Sequence, residues 1–347
     1  MLESLRGRRV LVTGLTGFKG IWLGLWLRRL GAEVTGLALP AAAEVLRGWP
    51  GLVERLPCLH GDIRDADRVR RAFAEARPEV VFHLAAQSLV RPGYRDPVGT
   101  FAANVLGTVH VLEACRESPT VRAVVNVTSD KCYENREWHW GYREDEAMGG
   151  HDPYSASKGC AELVAAAYRR SFGLPVASGR AGNVIGGGDW SVDRLVPDMV
   201  RAVVAGEPLV LRSPGSIRPW QHVLEPVSGY LVLAAKLLGD TRFASGWNFG
   251  PSEPRPLTVR EIADRLVGHW GRGEVVEAVD PNAPHEARHL KLDSSRAAAV
   301  LGWRAWLTPD ERIARTVDWY KAWHADPESG WSVAEDQIER SSGRWAC

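Results

Sequence analysis

The chain has 347 residues, of which 45% are hydrophobic and 24% are charged, as in an ordinary globular enzyme with one large domain or two smaller ones. The 43 lysines and arginines balance 42 aspartates and glutamates, so the net charge of +1 does not point to a nucleic-acid partner. The five cysteines form no CxxC pair, which is typical of reduced thiols. Since the sequence lacks a signal-like start and a long apolar run, we expect a cytoplasmic protein with no membrane span.

Short apolar runs alternate with helical patterns over roughly the first 185 residues. The predicted strands are 9–13, 33–37, 57–60, 80–84, 121–127 and 175–178, and the predicted helices between them are 65–76, 97–117 and 153–173. Beyond them, glycine and proline become more frequent, and helical patterns recur at about 194–205, 222–238 and 258–270. This alternation predicts an α/β fold, a Rossmann-type doubly wound parallel sheet with a smaller C-terminal substrate lobe.

The domain boundaries follow from the same pattern. We expect a dinucleotide-binding domain over 1–185 with a returning segment at about 217–245. Residues 186–216 and 246–330 are expected to form the substrate-binding lobe, and 331–347 a C-terminal tail.

A glycine-rich loop joins the first predicted strand to the first predicted helix. Gly14, Gly17 and Gly20 are spaced three residues apart, which lets backbone amides approach a pyrophosphate at a helix N-terminus. An ordinary strand-to-helix turn is the alternative. The predicted cofactor contacts are Gly14, Thr16, Gly17, Phe18, Lys19, Gly20, Asp62, Ile63, Leu84, Ala85, Ala86, Gln87 and Asn104, together with Tyr154 and Lys158.

The end of the second predicted strand lacks the acid that usually holds the cofactor ribose. Residues 34–40 contain no aspartate or glutamate, so this segment leaves the choice between NAD and NADP open, and Lys19 could contact a 2′-phosphate. Asp62 has two interpretations, as an acceptor for the adenine amino group or as a helix cap together with Asp65.

Two short runs carry acid–base chemistry. Tyr154 and Lys158 lie one helical turn apart, so the ammonium is expected to lower the pKa of the phenol and to make it a base for an alcohol. Ser129, Asp130 and Lys131 follow a predicted strand at its ligand-facing end. They add a hydroxyl and a second acid–base pair that a simple dehydrogenase does not need. A surface helix pair and a solvated turn are the structural alternatives.

With these residues the chain resembles the extended short-chain dehydrogenase/reductase family of nucleotide-sugar enzymes, over about residues 8–325. Gly14, Gly17, Gly20, Tyr154 and Lys158 match the family's glycine loop and YxxxK pair. The stretches at 16–20, 129–135, 149–154, 180–190 and 218–226 are similar to the branch of 4,6-dehydratases that acts on CDP-glucose. The related dTDP-glucose branch has Thr-Asp-Glu where this sequence has Ser129-Asp130-Lys131.

The resemblance implies NAD as the cofactor and CDP-glucose as the substrate. The sugar is expected to be oxidised at carbon 4 with Tyr154 and Ser129, to lose its 6-hydroxyl with Lys131 and Asp130, and to be reduced at carbon 6. The predicted substrate-binding residues are Asn183, Arg194, Arg218, His222 and His285.

Two other interpretations stay open. One is a dehydratase or 4-epimerase acting on a dTDP-, UDP- or GDP-linked sugar, and the other is a non-catalytic NAD-binding regulator, against which the intact catalytic residues argue. No cluster with metal-ligand spacing predicts a metal site. The helices at 97–117 and 153–173 resemble those that pair in family dimers, so we expect a homodimer or homotetramer.

Overall fold

The chain is described here by a computed structural model, which covers residues 1–345 except 252, 254, 256, 280–286 and 288. Its strands are β1 Arg9–Thr13, β2 Glu33–Ala38, β3 Cys58–His60, β4 Val80–His83, β5 Ala123–Val127, β6 Val176–Ala181, β7 Val184–Ile185, β8 Leu209–Leu211, β9 Gln221–His222, β10 Gly246–Phe249 and β11 Val275–Glu277. Seven of them form one parallel sheet in the order β10-β6-β5-β4-β1-β2-β3.

Helices cover both faces of this sheet. They are α1 Phe18–Arg29, α2 Ala43–Gly48, α3 Leu52–Arg55, α4 Ala66–Ala76, α5 Val90–Arg95, α6 Pro97–Phe101, α7 Gly107–Glu117, α8 Pro153–Phe172, α9 Leu195–Ala205, α10 Leu224–Gly239, α11 Val259–Trp270, α12 Pro309–Ala325 and α13 Ser329–Ser342. A π-helical turn over Ala102–Leu106 joins α6 to α7.

Successive residues of the central strands point into two different cores. In β1, Val10 and Val12 belong to the larger core, whereas Leu11 belongs to the smaller one. In β4, Phe82 belongs to the larger core and Val81 to the smaller one. Because side chains alternate across a strand, a run of consecutive apolar residues is needed when both faces are covered. The Rossmann-type doubly wound fold is thus confirmed.

The chain order across the sheet determines where a ligand binds. From β1 the chain runs outward through β2 to β3 and then returns to β4, which pairs with the other side of β1. In sheets of this kind the ligand crevice lies at the carboxyl ends of the strands, where the direction reverses. The glycine loop after β1 and the segment after β4 therefore face each other.

Three regions add detail to the predicted organisation. Strand β10 begins directly after the predicted returning segment of 217–245. Residues 246–249, which were predicted to belong to the lobe, therefore form an edge strand of the sheet. The segment 39–56, which had no predicted structure, contains α2 and α3. Much of the predicted C-terminal tail lies in α13, where the buried Trp331 donates a hydrogen bond of 2.7 Å to the Pro50 carbonyl.

An aromatic cluster fixes the segment that follows β7. The carbonyl oxygens of 187–189 accept hydrogen bonds from Trp22, Trp49 and Tyr320 at 2.9, 3.3 and 2.6 Å, respectively. A Cβ atom at position 187 would lie 2.0 Å from the Trp319 ring, and one at 188 would lie 2.3 Å from Trp49. The glycines here are required because the rings contact the backbone directly.

One helical stretch in the described part of the chain, Pro97–Glu117, is long and apolar enough to cross a membrane. Of its most apolar window, 44% is buried against the rest of the protein. Since a core helix of a globular protein has the same length and composition, this stretch is weak evidence for a span.

Candidate active site

A cleft of about 800 Å³ opens at the carboxyl ends of the central strands. Its walls come from the loops after β1, β3, β4, β5 and β6, from α8, and from the segment that leads into α9. The cleft is large enough for two ligands side by side, as expected for a cofactor and a substrate.

The glycine loop forms one end of this cleft. Gly14 has a left-handed φ of +73°, and a Cβ atom there would lie 2.8 Å from the backbone nitrogen of Ala85. A Cβ atom on Gly20 would lie 2.2 Å from the Gly14 carbonyl oxygen. Larger side chains would therefore displace the loop, whereas glycine keeps its amides at the N-terminus of α1, where a pyrophosphate is favoured.

Asp62 lies in the cleft, and the helix cap that was its second interpretation is made by Asp65. Asp65, not Asp62, caps α4 by accepting a hydrogen bond from the Arg68 amide. Asp62 lines the cleft, but it is bound by the Arg64 guanidinium at 2.6 Å and by the Arg64 amide at 2.9 Å. At the end of β2, Leu39 lines the cleft where an acid often stands.

Helix α8 places the phenol and the ammonium on its cleft-facing side. It begins after Asp152, whose carboxylate accepts a hydrogen bond from the Ser155 amide, a typical N-cap. Tyr154 and Lys158 are both buried, and the Lys158 ammonium donates to the Val127 carbonyl at 3.3 Å.

The pKa of Tyr154 differs from the sequence-based expectation. Burial raises the pKa of Tyr154 to about 12, although a hydrogen bond with Ser129 and the charge of Arg194 act in the opposite direction. The expected lowering by Lys158 was therefore wrong for this state of the protein. Burial also lowers the pKa of Lys158 to about 8, against the opposing charge of Glu162.

Ser129, Asp130 and Lys131 lie directly after β5 and line the cleft beside Tyr154. The Ser129 hydroxyl donates to Asp130 Oδ1 at 2.9 Å, whereas Asp130 Oδ2 is buried with no hydrogen-bond partner in the described structure. Burial raises the pKa of Asp130, and the charges of Lys131 and Arg218 reduce that effect. A carboxyl in such a place favours its protonated form and can donate a proton.

A buried ion pair supports this loop from below. Glu162, one turn after Lys158 on α8, receives bonds of 3.0 and 2.9 Å from the Arg180 guanidinium and another from the Thr128 hydroxyl. Arg180 also donates to the Tyr133 hydroxyl at 2.7 Å. Thr128 and Tyr133, on the two sides of the Ser129–Lys131 run, are thus attached to one pair of charges in β6 and α8.

A second support lies beneath Tyr154. The Asn104 side chain exchanges hydrogen bonds with the Gln87 backbone at 2.8 and 2.9 Å and donates to Ser157 at 2.8 Å. Ser157 in turn donates to the Tyr154 carbonyl at 2.7 Å. Asn104 is therefore a link between the loop after β4 and α8, and it does not line the cleft.

Lys19 brings a further positive charge into the centre of the cleft. Burial, followed by the charge of Arg194, lowers the pKa of Lys19 to about 7, while Asp130 and Asp189 favour its charged form. Because this value is close to neutral, a phosphate nearby would favour protonated Lys19.

The structure brings most predicted site residues together. Those that line the cleft are Gly14, Thr16, Gly17, Phe18, Lys19, Gly20, Asp62, Ile63, Leu84, Ala85, Ala86, Gln87, Ser129, Asp130, Lys131, Tyr154, Lys158, Asn183, Arg194 and Arg218. His222 does not line it, because this residue of β9 is fully buried and packs against Trp22. His285 lies outside the described residues.

Sequence reasoning missed several charged residues of the cleft. Arg64, Arg91, Asp193 and Arg212 line it as well. None belongs to a recognisable motif, and Asp193 meets Arg91 and Arg212 only through contacts between segments that are distant in the chain. No group of three or more His, Cys, Asp or Glu is placed to hold a metal ion in the part of the chain that the structure describes.

Comparison with known proteins identifies the family. The family described as GDP-mannose 4,6 dehydratase matches residues 11–316. The chain belongs to this 4,6-dehydratase family. It is 51% identical over 333 residues to CDP-glucose 4,6-dehydratase of Salmonella typhimurium, with 92% of each chain covered.

Solved structures related to this 4,6-dehydratase family member share its fold. The dTDP-glucose 4,6-dehydratase DesIV from Streptomyces venezuelae, solved with NAD bound, is 27% identical with a TM-score of 0.78, covering 93% of this chain and 98% of that one. UDP-glucose 4-epimerase of Thermus thermophilus, also solved with NAD, is 30% identical with a TM-score of 0.78, covering 90% and 98%.

Proposed function

We propose that the protein is an NAD-dependent enzyme that dehydrates CDP-glucose to CDP-4-keto-6-deoxyglucose. The observation that carries this proposal is the buried Asp130 carboxyl next to Lys131, placed in the same cleft as Ser129 and Tyr154. The 51% identity to a CDP-glucose 4,6-dehydratase supports the same activity and the same nucleotide.

The residues at the glycine loop fit NAD. A Cβ on Gly14 would clash with the Ala85 backbone after β4, and one on Gly20 would clash with the Gly14 carbonyl oxygen. Glycine at these positions therefore keeps the loop amides where a pyrophosphate can approach them. Asp62, Ile63 and Ala85 would line its adenosine and ribose portions. When bound, NAD accepts a hydride from carbon 4 and returns it to carbon 6, so the reaction has no net redox change.

The first task of the protein is to take the proton from the 4-hydroxyl. Tyr154 accepts this proton, and Ser129 holds the oxygen that becomes the ketone. Since burial raises the pKa of Tyr154 to about 12, the phenolate must be stabilised as it forms. The charge of Arg194 already acts in this direction, and Lys158, one turn further along α8, would supply a second positive charge.

The second task is elimination of water across carbons 5 and 6. The 4-ketone acidifies the proton on carbon 5, and the Lys131 amine removes it. The 6-hydroxyl departs as water with the proton of Asp130, a carboxyl whose pKa is raised by burial, which favours its protonated form. Reprotonation at carbon 5 completes the product, which differs from the substrate by one water.

A 4-epimerase is the second candidate, since a UDP-glucose 4-epimerase shares the fold at 30% identity. Epimerisation needs oxidation and reduction at carbon 4 and no elimination. It therefore gives no role to Asp130 and Lys131, which makes dehydration the better fit.

Nucleotide choice is tested by incubating the enzyme with CDP-, dTDP-, UDP- and GDP-glucose, each with and without added NAD. The 4-keto product is detected by its absorbance in base, and we expect it from CDP-glucose above the others. Equal turnover of all four would contradict the CDP assignment, and conversion to the 4-epimer without a 4-keto product would favour the epimerase.

The role of Lys131 is tested by Lys131→Ala. We expect this variant to reduce NAD in a single turnover and to form product at least ~100-fold more slowly, because the loss of a general base typically costs that much. Lys321→Ala, at an exposed position of α12, is the matched control. Normal product formation by Lys131→Ala would remove Lys131 from the mechanism.

We further propose a homodimer or homotetramer located in the cytoplasm. Apolar side chains are exposed on the helices that resemble the family's dimer helices: Val98, Phe101, Leu106, Leu163 and Phe172. Pairing of these two faces with a second copy would cover them. Four cysteines in the described residues are unpaired thiols, in keeping with a reducing compartment.

A further inference from the structure

Charged side chains meet across the mouth of the cleft. Arg91 comes from α5 in the sheet domain, whereas Asp193 and Arg212 belong to the substrate lobe. The Asp193 carboxylate accepts a hydrogen bond of 2.6 Å from Arg212, and the same oxygen lies 3.5 Å from the Arg91 guanidinium. One carboxylate therefore joins two arginines from opposite walls.

This cluster is open to a ligand that enters the cleft. The side chains of Arg91, Arg212 and Asp193 are 43%, 39% and 30% exposed, and all three line the cleft. Ion pairs that are this exposed contribute little to stability. The cluster is thus poorly explained as a stabilising feature of the fold.

The local charge favours an anion with more charge than one carboxylate. Two guanidinium groups face a single carboxylate, and the positive charge of Arg95 also helps to lower the pKa of Asp193. Arg194, next in the chain, reaches across the same gap to the Ser88 carbonyl at 3.3 Å. A diphosphate carries more charge and more acceptor oxygens than a carboxylate, and guanidinium groups bind both in the same planar geometry.

We propose that Arg91 and Arg212 bind the diphosphate of the nucleotide sugar, and that Asp193 holds both guanidinium groups until the diphosphate replaces it. This inference rests on the proposed function, because it takes a nucleoside diphosphate sugar as the ligand. It adds a binding residue from α5, so that the diphosphate would bridge the two walls of the cleft as Asp193 does here.

The inference predicts that loss of either arginine weakens CDP binding and that loss of the Asp193 charge strengthens it. Arg91→Gln and Arg212→Gln remove a charged ligand of the phosphates, and we expect each to weaken CDP binding about 10-fold. Asp193→Asn removes the competing charge, and we expect it to strengthen CDP binding about 3-fold. Asparagine suits this position because Asp193 has a φ of +61°, a left-handed conformation that asparagine adopts readily.

The experiment is calorimetric titration of CDP and, separately, of NAD into the wild type and the three variants, with thermal unfolding as a check on folding. Asp336→Asn, which breaks the exposed pair with Arg340 at 2.9 Å far from the cleft, is the matched control. We expect NAD affinity to stay within about 2-fold in every variant. If a glutamine variant fails to fold, Arg91→Lys and Arg212→Lys replace it and should weaken CDP binding through loss of the planar contact.

The outcomes separate the two proposals. Wild type that binds NAD but not CDP would overturn the proposed nucleotide substrate. Wild type that binds CDP, with all three variants weaker or all three unchanged, would overturn the role of this cluster and leave the proposed substrate intact.

Discussion

Replacement of Glu162 by glutamine should strongly destabilise the protein. The Glu162 and Arg180 side chains are each 5% exposed, and the variant leaves the Arg180 guanidinium buried without a counter-charge. Removal of one partner of a buried pair typically costs about 3–5 kcal/mol. We therefore expect the free energy of unfolding in urea to fall by about that amount.

The pH dependence of this loss gives a second check. Burial acts to raise the pKa of Glu162, but the Arg180 charge and the hydrogen bonds outweigh it, so the pKa lies below its usual value. A lowered pKa in the folded protein stabilises it above the unfolded value of about 4.3, and this contribution is lost as the pH falls through the folded pKa. The difference between wild type and Glu162→Gln should therefore shrink in acid.

Urea unfolding followed by far-ultraviolet circular dichroism measures both effects. The exposed Asp336→Asn variant should lose no more than about 0.5 kcal/mol. The double variant Glu162→Gln/Arg180→Met should be more stable than Glu162→Gln alone, since it no longer buries an unpaired charge. A Glu162→Gln variant within about 1 kcal/mol of wild type would refute this reasoning.

Three further perturbations test other parts of the site. Gly20→Ala places a methyl group 2.2 Å from the Gly14 carbonyl oxygen, so NAD affinity measured by titration should fall at least ~10-fold, and unchanged affinity would contradict the assigned cofactor loop. Because burial lowers the pKa of Lys158 to about 8, its charged form is lost above that pH and kcat should decline on the alkaline side; a profile that stays flat to pH ~10 would argue against a role for the ammonium. Leu106→Arg or Leu163→Arg adds charge to an exposed apolar helix face, and light scattering should then detect monomers, whereas an unchanged mass would place the subunit interface elsewhere.

Much of the fold could be predicted from sequence because the sheet is buried on both faces. Strands such as 80–84 and 121–127 are mostly apolar, and glycine, proline or polar residues at their ends mark the turns. Residues that line the cleft could be predicted for a related reason. In a parallel sheet the strand ends meet at one edge, so Ser129 and the glycine loop share a cleft although 109 residues separate Ser129 from Gly20.

What could not be predicted depends on contacts between distant segments. His222 is a polar residue in a motif-like stretch, yet it is buried behind the cleft. Asp193, Arg91 and Arg212 meet only because the segment before α9 and the segment after β8 both lie against α5. The pKa of Tyr154 depends more on burial than on the Lys158 charge one helical turn away. Sequence spacing indicates that Lys158 is one turn away, but it does not indicate how deeply Tyr154 is buried.

The aromatic contacts to 187–189 constrain how this protein can be recombined with its relatives. The donors that fix this cleft-side segment lie in α1, in the loop after α2 and in α12, which are far apart in the chain. A chimera that exchanged the substrate lobe alone would separate the glycine backbone from the indoles shaped to it. Successful crossovers should therefore transfer α1, the loop after α2 and the lobe as one inherited block.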